Sequence, residues 1–314
     1  MSKNDTTPIL IAGPTASGKS ALALALAERH NGCIINADSM QVYDVLRELT
    51  ARPSAEEEAR APHKLYGHVP PSSPYSVGQW QGEAMAEIEA AQAAGQVPIL
   101  IGGTGLYFKS LLEGLVDIPD IDEATRSKWR ARLAEEGSPA LHEVLRGVDA
   151  TLAARLAPND QQRILRGLEV YHSTGKALSE WHQIEPTAPL RAAHKILLMP
   201  DRDWLYARCD TRFEQMLAGD AQEEVARLWA LNLPPDMPVM KALGVKEILA
   251  LMADELDVTK ATEAAQQATR RYAKRQMTWF RNQMRDWQTF TEQDYIENMD
   301  LIFSFISKNG LTAK

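Results

Sequence analysis

Eight consecutive residues, Gly13-Pro14-Thr15-Ala16-Ser17-Gly18-Lys19-Ser20, have the spacing of a nucleotide-binding P-loop. In that pattern glycines let backbone N–H groups turn toward phosphate oxygens, and the helix that follows presents its positive end. Lys19 can reach the outermost phosphate, and the Ser20 hydroxyl can ligate Mg²⁺. Two further positions bear on what is done with the phosphate. Asp38, in Ala37-Asp38-Ser39-Met40-Gln41-Val42-Tyr43, closes an apolar run and suits a general base acting on an acceptor. An aspartate there could equally cap the segment that follows. Thr104, in Gly102-Gly103-Thr104-Gly105, is either a turn hydroxyl or a donor to a leaving phosphate oxygen. The run before it ends in no acid, unlike the strands from which motor and switch NTPases hold Mg²⁺. The spacing therefore favours group transfer from a phosphorylated donor over mechanical nucleotide hydrolysis.

The elements that must position these residues are short apolar runs separated by helical stretches. Residues 8–12, 33–37, 97–101 and 194–199 read as strands, with helices over 20–29 and 79–94. Continuous apolar strands alternating with helices predict an α/β fold, a P-loop NTPase-like parallel sheet with helices on both faces. From about 118 to 189 the pattern is helical throughout, broken at Gly137-Ser138-Pro139 and restarting after Pro158-Asn159-Asp160. The expected organisation is a core of residues 1–117 and 194–314, interrupted by an all-helical insertion over 118–193. Beyond 199 the pattern reads as helix to the end.

The composition excludes several classes. With 45% hydrophobic and 24% charged residues in 314, the chain is neither disordered nor fibrous. Cys33 and Cys209 alone give no disulfide framework and no paired-cysteine zinc site. No apolar run approaches the roughly 18–20 residues of a membrane span, so a cytoplasmic location is expected. The net charge of −8 speaks against a uniformly basic nucleic-acid coat. Its distribution does not: residues 260–285 hold seven basic residues and one acid, a net +6, which leaves −14 on the remainder. Arg270, Lys274, Arg281 and Arg285 fall on one helix face, interleaved with Tyr272, Trp279, Phe280 and Trp287. That is either a phosphate-backbone track or a solvated helix whose aromatics face a core.

These strings, in this order, resemble the tRNA dimethylallyltransferases (isopentenyl-tRNA transferases). Asn159-Asp160 before Gln162-Arg163-Ile164-Leu165-Arg166, then Thr174-Gly175-Lys176, and Thr269 through Trp279, belong to the same match. The P-loop alone is generic; the Asp-Ser-Met-Gln and Ala-Lys-Arg-Gln-Met-Thr-Trp strings are specific. The resemblance implies a core that binds dimethylallyl diphosphate with Mg²⁺ and an insertion that grips the anticodon stem-loop of tRNA. It implies transfer of the prenyl group to the exocyclic amine of the adenosine 3′ of the anticodon, with that base flipped into the site. By the same resemblance Asp38 is the general base and Thr104 contacts the reacting centre. Ser39, Met40, Gln41, Arg126, Gln162, Arg163, Ile164, Leu165 and Arg166 then match tRNA-contacting positions. Lys241 to Lys246 resembles another such string, with Val245 where an aromatic is common, and the basic residues Arg270, Lys274 and Arg281 join the RNA-binding set.

The match is to the bacterial type, since two cysteines cannot supply the zinc finger of eukaryotic relatives, and a monomer is expected. Two segments depart from the family's pattern: Arg47-Glu48-Leu49-Thr50-Ala51-Arg52, and Gly219-Asp220-Ala221. The competing readings are an adenylate isopentenyltransferase acting on free AMP, ADP or ATP, a P-loop small-molecule kinase, and a non-catalytic RNA-binding module. The first needs neither a helical insertion nor a basic helix, and the last needs no intact Lys19, Ser20 and Asp38.

Overall fold

The computed structural model describes residues 6–291 and 295–308. The chain opens with β1 (Ile9–Ala12), α1 (Lys19–His30), β2 (Gly32–Asn36), α2 (Ala55–Arg60), β3 (His63–Lys64), α3 (Val77–Ala93) and β4 (Val97–Gly102). After α4 (Gly105–Glu113) come α5 (Glu123–Val148), α6 (Ala150–Ala153), α7 (Gln161–Thr174) and α8 (Leu178–Trp181), with no strand among them. β5 (His194–Leu198) then leads to α9 (Arg202–Ala218), α10 (Ala221–Ala230) and α11 (Val245–Met252). The last elements are α12 (Val258–Gln283), β6 (Gln288–Phe290) and α13 (Tyr295–Lys308).

The six strands form one sheet in the order β3-β2-β4-β1-β5-β6, every neighbouring pair parallel. β1 lies between β4 and β5, with Ile9 opposite Ile99 on one side and His194 on the other. Residues 9–12, 33–35, 97–101 and 196–198 are continuous apolar runs because both faces are covered. Leu10, Ala12, Ile35 and Leu100 pack with Trp80, Phe108, Leu205 and Met277 of α3, α4, α9 and α12. Ile9, Ile11, Ile34 and Ile99 face the other layer, with Leu22 and Leu26 of α1 and Ile302 and Ile306 of α13.

The chain divides into two compact units, Met1–Leu112 with Pro189–Lys314, and Glu113–Ala188. The second unit is helical, built on Trp129, Leu141, Leu145, Ile164 and Leu168. Gly137 breaks α5 with φ 77° and ψ 165°, and the Asp160 side chain caps α7 by accepting the Arg163 N–H.

Two strands were not expected. β3 has two residues and β6 three, Gln-Thr-Phe, of which only Phe290 is buried. Edge strands this short carry no apolar run to read. Arg285 lies beyond the end of α12, because Met284 leaves helical geometry at φ −120° and ψ 46°. It therefore does not share the helix face assigned to it. Among the described residues no helix is long and apolar enough to cross a membrane.

Candidate active site

The phosphate loop joins the end of β1 to the start of α1. Ala16 and Gly18 both sit at positive φ, 64° and 90°, so successive N–H groups turn into a concavity that suits an anion. The loop is braced from three sides. Lys19 Nζ donates to Pro14 O at 2.7 Å. Arg208 Nε donates to Ala16 O at 2.9 Å, and Arg212, one turn further along α9, donates to Thr15 Oγ1. Gln276, from α12, accepts the Thr15 N–H at 2.9 Å and donates to Gly103 O at 2.9 Å, so one amide ties the phosphate loop to the turn after β4.

Asp38 follows β2 at the carboxyl edge of the sheet, and buried Asn36 positions it. Asn36 Oδ1 accepts the Asp38 N–H at 2.8 Å, while its Nδ2 donates to Asp38 O and Leu65 O, each at 3.0 Å. Trp80 Nε1 donates to Asn36 O at 2.8 Å from beneath. Asp38 Oδ1 accepts the Met40 N–H at 3.0 Å; Oδ2 is left with no turn contact. Thr104 Oγ1 accepts the Ser39 N–H at 2.9 Å and donates to Ser39 Oγ at 3.2 Å, clasping the two turns together. Gly102 allows that approach, since a Cβ there would stand 1.9 Å from Ala37 O.

These parts face one cavity of about 630 Å³, lined by Thr15, Lys19, Ser20, Asp38, Arg208 and Arg212, among others. Lys19, Arg208 and Arg212 outnumber the lining carboxylates of Asp38 and Glu57, which leaves the cavity net positive and suited to an anion. Burial drives the Lys19 ammonium down to about 8; Asp38 opposes that shift and Arg212 reinforces it. Burial likewise lowers Arg212, with Cys209 and Asp38 opposing. Lys19 is thus cationic below about pH 8 and loses its proton above it. Affinity for inorganic diphosphate, measured by calorimetry, is expected to fall by up to about tenfold per pH unit above that value. A flat profile to pH 10 would remove Lys19 from the anion site.

No group of three His, Cys, Asp or Glu side chains among the described residues could cage a metal ion. Mg²⁺ nevertheless fits this cavity as a companion of phosphate, because it is habitually held by one or two protein oxygens together with phosphate oxygens and water. Exposed Ser20 lines the cavity, and the buried Ser17 Oγ has no hydrogen-bond partner among the described residues.

The other residues singled out in the sequence fall into three groups. Gln41 lines the same cavity as Asp38, with Ser39 and Met40 in the turn between them. In the helical unit Gln162 and Arg163 are exposed, whereas Arg126, Leu165 and Arg166 are half-buried. Burial lowers Arg166, with Glu169 opposing and Arg126 adding to the shift. Ile164 is fully buried. It belongs to that unit's core, which corrects the expectation that it meets RNA: a side chain without accessible surface cannot touch a ligand.

On the core unit Lys241, Lys246, Lys274 and Arg281 are exposed. Arg270 is not a free cation, since its NH1 lies 2.6 Å from both carboxylate oxygens of Asp210. Of the interleaved aromatics, Phe280 and Trp287 are core residues. Trp279 packs on Gly105, where a Cβ would come within 2.0 Å of its ring. Arg208, Arg212, Gln276 and Asn36 were not assigned roles from sequence. The one available signal is the i, i+4 arginine pair that follows the last long core strand.

The sequence matches the family model for IPP transferase over residues 41–283, and that for isopentenyl transferase over residues 7–66. It is 55% identical over 282 residues to the tRNA dimethylallyltransferase of Chelativorans sp. (strain BNC1), covering 89% of this chain and 97% of that one. It is 50% identical over 306 residues to that of Parvibaculum lavamentivorans, covering 97% of each. The fold is similar to the crystal structure of a full-length tRNA isopentenylpyrophosphate transferase from Bacillus halodurans, with a TM-score of 0.69, 33% identity and coverage of 97% and 96%. It is also similar to a eukaryotic dimethylallyltransferase described as acting on tRNA, with a TM-score of 0.78, 29% identity and coverage of 94% and 76%.

Proposed function

Because the chain belongs to the IPP transferase family of tRNA dimethylallyltransferases, we propose that it transfers a dimethylallyl group from dimethylallyl diphosphate to the N6 amine of the adenosine 3′ of the anticodon. The observation that carries this reading is the open Asp38 carboxylate oxygen on a cavity whose other wall is a cationic phosphate cradle. A base and a leaving-group site so placed suit displacement of diphosphate by a nucleophile that must lose a proton.

The adenine amine is a weak nucleophile, because its lone pair is delocalised into the ring. As its nitrogen bonds the allylic carbon, the carbon–oxygen bond to diphosphate breaks and one N6 proton passes to Asp38 Oδ2. The second N6 hydrogen stays on the product. Charge gathering on diphosphate is met by Lys19, Arg208, Arg212 and the loop N–H groups, which are already in place and need not reorganise. Mg²⁺ held by Ser20 and the phosphate oxygens would supply further charge neutralisation. Thr104 keeps the Asp38 turn in register with the turn after β4 through Ser39.

On the helical unit, exposed Gln162 and Arg163 with half-buried Arg126 and Arg166 are the proposed contacts to the anticodon stem-loop; on the core unit, exposed Lys241, Lys246, Lys274 and Arg281 offer cations to RNA phosphates. Two buried free thiols, Cys33 and Cys209, suit a reducing cytoplasm.

The test sets an unmodified anticodon stem-loop and AMP side by side with radiolabelled dimethylallyl diphosphate and Mg²⁺. Label is expected on the stem-loop and not on AMP. Transfer to AMP alone would make the protein an adenylate isopentenyltransferase, and transfer to neither would end the prenyl reading.

A further inference from the structure

Gln41 is held in an unusual way. Its Nε2 donates to Thr50 O at 2.8 Å and to Ala51 O at 2.9 Å. Those bonds spend both amide hydrogens. They also settle which way the amide points, since the reverse orientation would set Oε1 against two carbonyl oxygens. Oε1 accepts no hydrogen bond among the described residues, and Gln41 lines the cavity beside Asp38.

The segment that supplies the two carbonyls is itself strapped to α10. The buried Glu224 carboxylate accepts the N–H groups of Arg47 at 2.9 Å and Glu48 at 2.7 Å through Oε1, and that of Leu49 at 3.0 Å through Oε2. Glu48 Oε2 in turn accepts the Asp220 N–H at 2.7 Å. Gly219 leaves room for that carboxylate, because a Cβ there would come within 2.1 Å of Glu48 Oε1. The two segments in which this chain departs from its family's pattern therefore meet, and each accommodates the other.

We propose that Gln41 is a specificity-determining residue, locked as a hydrogen-bond acceptor that reads the amine of the acceptor base, and that Glu48 and Glu224 are positioning residues that hold it so. The proposal rests on the reaction proposed above. An exocyclic amine carries two hydrogens. One leaves to Asp38 Oδ2 as the new C–N bond forms, and the one that remains on nitrogen is met by Gln41 Oε1. A 6-oxo purine would turn its own acceptor toward two acceptors and be repelled. A purine with no 6-substituent would leave both oxygens without a partner.

The test is competition binding of anticodon stem-loops carrying adenosine, purine riboside or inosine at the modified position, alongside prenylation kinetics on the adenosine loop. The wild-type protein is expected to hold the adenosine loop about tenfold tighter than the purine loop, and the inosine loop more weakly still. In Gln41→Met that preference is expected to fall to about threefold, the share that Asp38 Oδ2 alone supports, with the salt dependence of binding unchanged because the phosphate contacts survive. Glu48→Ala is expected to raise KM for the stem-loop and leave KM for dimethylallyl diphosphate alone. Glu48→Gln, which keeps an acceptor for the Asp220 N–H, should restore it.

A Gln41→Met protein with the wild-type preference for adenosine overturns the proposal, as does a Glu48→Ala protein whose two KM values rise together. If the wild-type protein prenylates no stem-loop, the parent reaction is wrong. If it prenylates the loop and Gln41→Met leaves the preference in place, only the role of Gln41 is wrong.

Discussion

Asp38→Asn is expected to slow prenyl transfer by about 10²–10⁴-fold, the usual contribution of a positioned general base, with diphosphate affinity nearly unchanged. Asparagine keeps an oxygen that can accept the Met40 N–H, and the backbone N–H that Asn36 holds is untouched, so the turn survives. What is lost is the open oxygen that takes the N6 proton. The substitution has a second, separable signature. The Asp38 charge supports the Lys19 ammonium, so removing it should move the alkaline limb of diphosphate binding to a lower pH. Single-turnover kinetics with saturating donor and stem-loop, together with calorimetric titration of diphosphate against pH, read both effects. Unimpaired turnover in Asp38→Asn would dismiss the base, and an unmoved limb would dismiss its coupling to Lys19.

Arg212→Gln is expected to lower kcat/KM for dimethylallyl diphosphate by about 10²–10³-fold, the scale on which a preorganised electrostatic donor acts on developing charge. Arg212 is recessed in the cavity wall and bonded to Thr15, so its cation is oriented before substrate arrives. Glutamine can keep a hydrogen bond to Thr15 Oγ1 while supplying no charge. Loss of loop packing is thereby separated from loss of the cation. Arg212→Lys should recover only part of the rate, since an ammonium lacks the planar fork that can bridge Thr15 and a phosphate oxygen. Affinity for the stem-loop, measured without donor, should not move. A fall in stem-loop affinity equal to the fall in kcat/KM would show Arg212 to be structural.

The parts of this site legible in the sequence are those made by neighbours along the chain. Gly13 to Ser20 form the cradle in consecutive residues, and Asp38 follows two residues after a strand whose centre, Cys33 to Ile35, is apolar. The long strands are equally plain, since burial on both faces demands a run of apolar side chains along most of each. β3 and β6 escape because edge strands of two and three residues need no such run. The helical unit is readable from its pattern, yet Ile164 within it is not: a string that matches RNA-contacting positions also has to supply the core of its helix, and spacing does not say which residue does which.

What the sequence by itself determined is the chemistry available: a phosphate cradle, a carboxylate at the end of a parallel strand, a local excess of positive charge, and with them the family. Which cations are free to act was decided only by the tertiary structure. Arg270 lies in the most basic segment but is neutralised by Asp210, whereas Arg212, in an unremarked helix, faces the phosphate loop. Gln276 reaches Thr15 across 261 residues of chain, and Glu224 reaches Leu49 across 175. The physical reason is one of distance. Residue type sets what a group can donate, accept or neutralise, but the partner that consumes or directs that capacity is brought within 3 Å by packing across the sheet. No spacing along the chain encodes that approach.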